Sequence, residues 1–222
     1  MDKQIYKLGQ SVIRYVTPPH IMDKLNKIYN KRKKNKLKSA APFLVGKIKN
    51  EYTLYNDQLE DESTCNHLDH EVLNWFMQHF KDYVDTLTHK YPNAYVSSGR
   101  VALKLSSMWI NEMKAGEYNP VHHHFSARSI VGLSSVMFLK IPKNYGKEIA
   151  SKQYPTNGRL EFIGNTNGQF VFPNFIPEVK EGDFFIFPYD LQHVVYPFKD
   201  SKEARRTLSA NVDVFKHIEN NE

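Results

Sequence analysis

Three consecutive histidines, His122-His123-His124, stand out in a chain of 222 residues that holds only 10 histidines. They follow Gly116-Glu117-Tyr118-Asn119-Pro120-Val121 and lead into an apolar run that ends at Lys140-Ile141-Pro142. In an extended backbone side chains alternate faces, so His122 and His124 point one way and His123 the other. Two imidazoles one pleat repeat apart supply two legs of a metal tripod. The third leg must come from a distant segment, and His193 is the candidate. It follows Phe187-Pro188-Tyr189-Asp190-Leu191-Gln192, an apolar strand stopped by a proline and a short turn. Taken singly, a histidine pair on a strand also fits an exposed surface, and a lone histidine after a strand also fits a structural one.

A second pattern lies at Arg205-Arg206-Thr207-Leu208-Ser209-Ala210-Asn211-Val212-Asp213. By strand parity Arg205, Thr207, Ser209 and Asn211 share one face, and Leu208, Ala210, Val212 and Val214 share the other. The apolar face belongs in a core. The polar face suits a barrel interior that holds an anionic ligand, because a guanidinium donates two parallel hydrogen bonds to a carboxylate and a hydroxyl two residues on adds a third.

The elements that carry these residues are mostly strands. Short apolar or alternating runs recur at 101–113, 128–141, 159–163, 169–173, 183–188, 193–197 and 205–215. Turn signals such as Lys114-Ala115-Gly116, Asn157-Gly158, Asn165-Thr166-Asn167-Gly168 and Glu181-Gly182-Asp183 separate them. This spacing predicts a mainly β sandwich or barrel with flanking helices. Residues 4–16 read as one strand, or two broken at Gly9. One helix opens at Pro18-Pro19 with Thr17 as N-cap and Ile21, Met22, Leu25, Ile28 and Tyr29 at helical spacing. A second carries the stripe Leu68, Val72, Leu73, Phe76, Phe80, Tyr83, Val84 and Leu87 and stops at Tyr91-Pro92-Asn93. His67, His70, His79 and His89 lie on or near it, with His67 and His70 expected on the surface. A short strand falls within 43–55. The whole, 1–222, reads as a single domain with a helix-containing N-terminal part over 1–100.

Composition narrows the setting. At 41% hydrophobic and 13% aromatic, with 13 Tyr and 14 Phe, the chain can fill one sizeable core and favours strands. The net charge of +6 resides in a basic run, since Lys31, Arg32, Lys33, Lys34, Lys36 and Lys38 account for it. A solvated helix end and loop explain that run better than a phosphate-binding face, although nucleic acid stays open as a partner. Cys65 is the only cysteine, which excludes an internal disulfide and suggests a reducing cytoplasm. No apolar run reaches about 18 residues, so neither export nor a membrane span is expected.

The ordered clusters give the chain a family likeness. It resembles the Fe(II)/2-oxoglutarate-dependent oxygenases, and among them the type often carried by phages. The stretches that carry the resemblance are Met108-Trp109-Ile110-Asn111, Gly116 to His124, Ser135 to Pro142, Glu181 to Pro188, His193 with Tyr196-Pro197-Phe198, and Arg205 to Val212. It covers 101–215 well and 10–29 loosely. It implies a double-stranded β-helix, a cupin-like jelly roll, as the core over 101–215, with the two N-terminal helices packed outside. It also implies Fe(II), 2-oxoglutarate and O2 as cofactors. His122 and His193 would bind iron, Arg205 and Thr207 would hold the distal carboxylate of 2-oxoglutarate, and Asn111 would line the same pocket. Oxidative decarboxylation of the keto acid would then hydroxylate a nearby C–H bond, releasing succinate and CO2. A three-ligand face leaves adjacent positions free for keto acid and O2.

One position departs from the family. The usual His-x-Asp or His-x-Glu is His122-x-His124 here, and we expect a three-histidine triad, one charge more positive than usual. A carboxylate from Glu117, Glu161 or Asp190 is the alternative source of the missing charge. Two other functions fit part of the pattern: a cupin-like metal dioxygenase that uses no keto acid, and a non-catalytic jelly-roll module with a structural metal. The expected substrate is a small molecule or a protein side chain. Trp109, Asn111, Tyr118, Phe125 and Tyr189 are candidates to line its entrance, and residues 143–158 to act as a lid. No feature of the sequence speaks to oligomeric state.

Overall fold

The computed structural model describes residues 1–34, 44–57, 68–90, 101–129, 131–148, 150, 152–164 and 173–216. Lys36, Lys38, Cys65, His67, the helix stop at 91–93, the turn at 165–168 and most of the run at 169–173 lie outside them.

The chain begins with a hairpin, β1 (Lys3–Leu8) and β2 (Gln10–Val16), turning at Gly9 with φ of 81°. The sequence allowed one strand or two, and only glycine adopts that backbone freely. Helix α1 (Pro19–Lys34) follows. Its first turn is closed by the Pro18 carbonyl, which accepts from the Ile21 and Met22 amides. Thr17 is therefore not the N-cap: it precedes the cap, and its amide donates to Gly182 O instead. The helix also runs further into the basic segment than a solvated end would. Arg32 is buried and donates to the Thr53 carbonyl, and Lys33 reaches Glu112 at 3.1 Å. Lys31 and Lys34 stay exposed. Strand β3 (Asn50–Asn56) and helix α2 (His70–Lys90) complete the N-terminal part.

The rest is β: β4 (Val101–Met113), β5 (Asn119–His122), β6 (Gly132–Lys140), β7 (Leu160–Ile163), β8 (Asn174–Phe175), β9 (Asp183–Pro188), β10 (Gln192–Val195) and β11 (Arg205–Lys216). They form a seven-stranded sheet in the order β1-β2-β9-β6-β11-β4-β3 and a four-stranded sheet in the order β5-β10-β7-β8. Every described pairing is antiparallel. This is a mainly β jelly roll with two flanking helices.

Strand parity divides the large sheet between two cores. Leu208, Ala210, Val212 and Val214 of β11 join Met108, Ile110, Leu133, Met137, Phe184 and Ile186 against Ile21, Leu25, Phe76 and Phe80 of the helices. The opposite faces of β6 and β9, with Val136, Phe138, Phe185 and Phe187, meet Leu160, Phe162 and Val195 of the small sheet. The helices thus cover one face and the small sheet the other. His70 is exposed, whereas His79 is buried between Trp75 and Tyr15, with centroids 3.9 and 4.8 Å away. Among the described residues no helix is long and apolar enough to cross a membrane.

Phe184 is the hub of the helix-side core, with ring centroids of Tyr15, Trp75, Phe76 and Phe80 between 5.0 and 6.2 Å away. Phe184→Ala is expected to cost about 3–5 kcal/mol of stability in guanidinium unfolding. Phe125→Ala, at a side chain 84% exposed, should stay within about 0.5 kcal/mol.

Candidate metal centre

The histidines meet because of one register. His122, the last residue of β5, lies directly across from His193 on β10. Cross-strand partners share a face and stand close, and here the ring centroids are 4.2 Å apart. His124 lies two residues beyond the strand, yet its ring is 5.3 Å from His122 and 5.1 Å from His193. One ligand nitrogen from each ring falls within 4.8 Å of the others, and the His124 and His193 Nε2 atoms are 3.4 Å apart. Adjacent donors on one cation stand about 3 Å apart when each bond is about 2.1 Å, so small ring rotations bring the three nitrogens onto one ion. Among the described residues the group contains no carboxylate.

Each ring is held from behind. His122 Nδ1 lies 2.7 Å from Pro120 O and His193 Nδ1 3.0 Å from Leu191 O. Donation of Nδ1–H to these carbonyls leaves both Nε2 lone pairs facing the centre. The His124 backbone amide donates to Tyr189 O at 2.8 Å, while Tyr189 donates its hydroxyl to Asp213 at 3.0 Å and its amide to Gly132 O at 3.0 Å. Gly132 is needed there, since a Cβ would stand 1.9 Å from the Tyr189 ring. Tyr189 is therefore a buried brace for His124 and not part of an entrance. Burial, the largest cause, lowers all three imidazole pKa values: His193 to about 3 and His124 well below its ordinary value, each also opposed by a neighbouring ring. Neutral rings with free lone pairs are what metal ligation requires.

The triad stands where two cavities meet. The inner one runs between the sheets past Asn111, Ser134, Thr207 and Ser209 to Arg205. The polar row on β11 thus faces inward, as parity implies. Arg205 is 2% exposed, donates to Thr207 Oγ1 at 3.4 Å and lies 4.8 Å from the Phe138 ring centroid. Its Nε and Nη2 atoms have no hydrogen-bond partner among the described residues. Burial lowers its proton affinity, and Tyr145 offsets part of that. Asn111 accepts from Trp109 Nε1 at 3.1 Å and donates to Ser209 at 3.3 Å.

The outer cavity is lined by Trp109, Phe125, Glu51, Val45 and all three consecutive histidines. Tyr118 does not line either cavity. His123 is exposed at the rim, opposite its neighbours in the alternation. None of the carboxylates weighed as substitutes for a third histidine joins the described histidine group: Glu117 accepts from the Lys49 and Lys114 amides, Glu161 from Asn174 and Tyr196, and Asp190 is exposed. Residues 143–148 are not a free flap. The Tyr145 ring packs on Phe198 at 5.3 Å, and its carbonyl accepts from the Lys199 amide at 3.3 Å.

Sequence reasoning missed Glu51, Ser134, Phe138 and Tyr145. Strand β6 is buried on both faces, so its apolar run shows no alternation that singles out Phe138 or Ser134. Glu51 carried a usable signal, a lone acid in an aromatic strand, but its partner strand was unknown.

Because burial depresses the folded-state histidine pKa values, the unfolded chain binds more protons than the folded one from about pH 6.5 down to about 3. Stability of the metal-free protein is therefore present above that window and is lost as pH falls through it. Urea titrations between pH 7 and 4 should show this slope, and His193→Gln should flatten it.

Residues 107–211 match the model of a family described as "Putative 2OG-Fe(II) oxygenase". No curated protein matches the sequence. Solved structures with the same fold include a Pseudomonas putida prolyl-4-hydroxylase, at 11% identity and TM-score 0.56, with 92% of each chain covered. A viral collagen prolyl hydroxylase from Paramecium bursaria Chlorella virus-1, in complex with 2OG, aligns at 13% identity and TM-score 0.53 over 90% of this chain and 94% of its own. A Trichoplax adhaerens prolyl hydroxylase bound to a hypoxia inducible factor peptide aligns at 13% identity and TM-score 0.53, covering 92% of this chain and 83% of its own.

Proposed function

With residues 107–211 a 2OG-Fe(II) oxygenase domain, we propose that the chain is a hydroxylase whose iron is held by His122, His124 and His193, with Arg205 and Thr207 receiving the distal carboxylate of 2-oxoglutarate. The observation that carries the assignment is the pair of Arg205 atoms, without a hydrogen-bond partner among the described residues, at the far end of a polar cavity that begins at three convergent imidazoles. An Nε–Nη2 edge is the side of a guanidinium that grips a carboxylate in two parallel bonds. Buried donors of this kind are costly unless a ligand satisfies them.

When bound, iron and 2-oxoglutarate supply the oxidant: the keto acid loses CO2 to become succinate, one atom of O2 enters succinate and the other the substrate's new C–OH. The chain's residues do the rest. His122 and His193 offer Nε2 because their Nδ1 protons are committed to Pro120 and Leu191 carbonyls. Asn211 serves His124: its amide lies 3.5 Å from Nδ1, and its oxygen accepts from Ser134 at 2.9 Å. A flip of that amide lets its oxygen accept Nδ1–H and frees Nε2, and the Ser134 hydroxyl satisfies either orientation. Asn111 and Ser209 line the path between the triad and Arg205, and Val136 and Leu160 keep it partly apolar. The outer cavity is the approach for substrate, either a small molecule or a protein side chain. The sole cysteine supports a cytoplasmic setting.

Anaerobic addition of Fe(II) and then 2-oxoglutarate should give a weak visible charge-transfer band, and oxygenation should release succinate. A folded, iron-loaded protein that gives neither overturns the proposal. Arg205→Ala should raise the Kd for 2-oxoglutarate at least about thirtyfold, the effect of removing about 2 kcal/mol from a buried charged hydrogen-bonded pair. His124→Ala should lower iron affinity in an equilibrium chelator competition.

A further inference from the structure

Two of the three imidazoles are placed by strand pairing and by carbonyls two residues away. His124 stands beyond β5 and needs another support. That support comes from the far end of the polar row on β11. Asp213 continues the alternation of Arg205, Thr207, Ser209 and Asn211 and is fully buried. One of its carboxylate oxygens accepts the Tyr189 hydroxyl at 3.0 Å, and the Tyr189 carbonyl accepts the His124 amide at 2.8 Å. The other oxygen accepts the Ser126 hydroxyl at 3.1 Å, two residues past His124. Arg128 lies 3.5 Å from that second oxygen and 2.5 Å from Asp57, and it donates to Ser106 Oγ at 3.3 Å. Asn211, one step back on the same row, lies against the His124 ring. His124 is thus gripped at its ring, at its backbone amide and two residues downstream, each time from β11 directly or through one side chain.

We propose that Asp213 is a positioning residue for the third metal ligand, its carboxylate fixing the chain on both sides of His124 so that this ring stays aimed at the other two. This deepens the reading of the triad as an iron site and rests on it. A wholly buried carboxylate is costly unless it is both paired and hydrogen-bonded, and Arg128 with the Tyr189 and Ser126 hydroxyls meets both conditions. The position calls for a group that only accepts. An amide there would turn N–H groups toward part of the same set and remove the charge that Arg128 answers. A ligand outside regular secondary structure would otherwise have to be ordered when the metal binds, at a cost in conformational entropy. The network assembles with the fold, so that cost is met before the ion arrives.

The test reads metal affinity, with Zn(II) as the probe because it binds imidazole more tightly than Fe(II) and keeps a two-histidine site measurable. Competition with a chromophoric chelator gives the Kd for the full chain, for Asp213→Asn, for His124→Ala and for the double variant. Urea midpoints of the metal-free proteins check the fold. Asp213→Asn is expected to raise the Zn(II) Kd at least about tenfold when His124 is present. In the His124→Ala background the change should stay below about twofold, because nothing is left to position. An equal loss in both backgrounds marks a general effect on the fold and overturns the proposal, as does a Kd that Asp213→Asn leaves unchanged. Where Asp213→Asn does not fold, Ser126→Ala decides, since it removes one tether and leaves the buried ion pair intact. It should raise the Kd about threefold only when His124 is present, and an unchanged Kd overturns the proposal. If His124→Ala itself leaves the Zn(II) Kd unchanged, the three-histidine reading fails first; a loss there with no effect at Asp213 or Ser126 removes only the present inference.

Discussion

The position of one residue pair on the small sheet governs the site. His193 on β10 faces His122 on β5, and a slip of one residue between these strands would turn one ring to the opposite face. That register is anchored from both sides. β10 also pairs with β7 from Gln192 to Val195, and the β5 side is tied by the His124 amide to Tyr189. Tyr189 is in turn fixed by Gly132 and Asp213 on the large sheet, so the third ring is located by the packing of the two sheets on each other.

Strand β11 does double duty. Its apolar face helps fill the core beneath the helices, and its polar face lines the cavity from Ser209 to Arg205. Period-two alternation makes the two jobs compatible, since each residue serves one face only. The arrangement also couples them: the burial that hides Arg205 from water comes from the same packing that stabilises the sheet. A guanidinium at 2% exposure is tolerated because its cavity is polar on one side and Phe138 lies under its plane.

Charge is distributed with some economy. The molecule is basic, yet much of the excess on α1 is spent on structure: Arg32 caps a strand carbonyl, and Lys33 joins Tyr29 and Arg206 around the buried Glu112. The site itself is built from neutral rings, with the Arg205 guanidinium at the inner end and Glu51 among the residues that line the outer one.

The sequence by itself determined the strand-rich class, the two helices with their apolar stripes and the facing of the β11 row, and it singled out the three histidines whose rings converge. These are local properties: side-chain alternation and helical periodicity are set by backbone geometry within a few residues, so they survive in the linear text. The resemblance to 2-oxoglutarate oxygenases added the cofactors and the pairing of Arg205 with Thr207. Tertiary structure alone decided that His124 converges despite lying beyond its strand, that Glu117 and Glu161 are occupied elsewhere, that Tyr189 braces instead of lining an entrance, and that Glu51 and Tyr145 belong near the site. The reason is physical. Which strands become neighbours depends on long-range packing, and a side chain such as Glu51 acquires its meaning only when a partner strand, a cavity and a degree of burial are fixed around it.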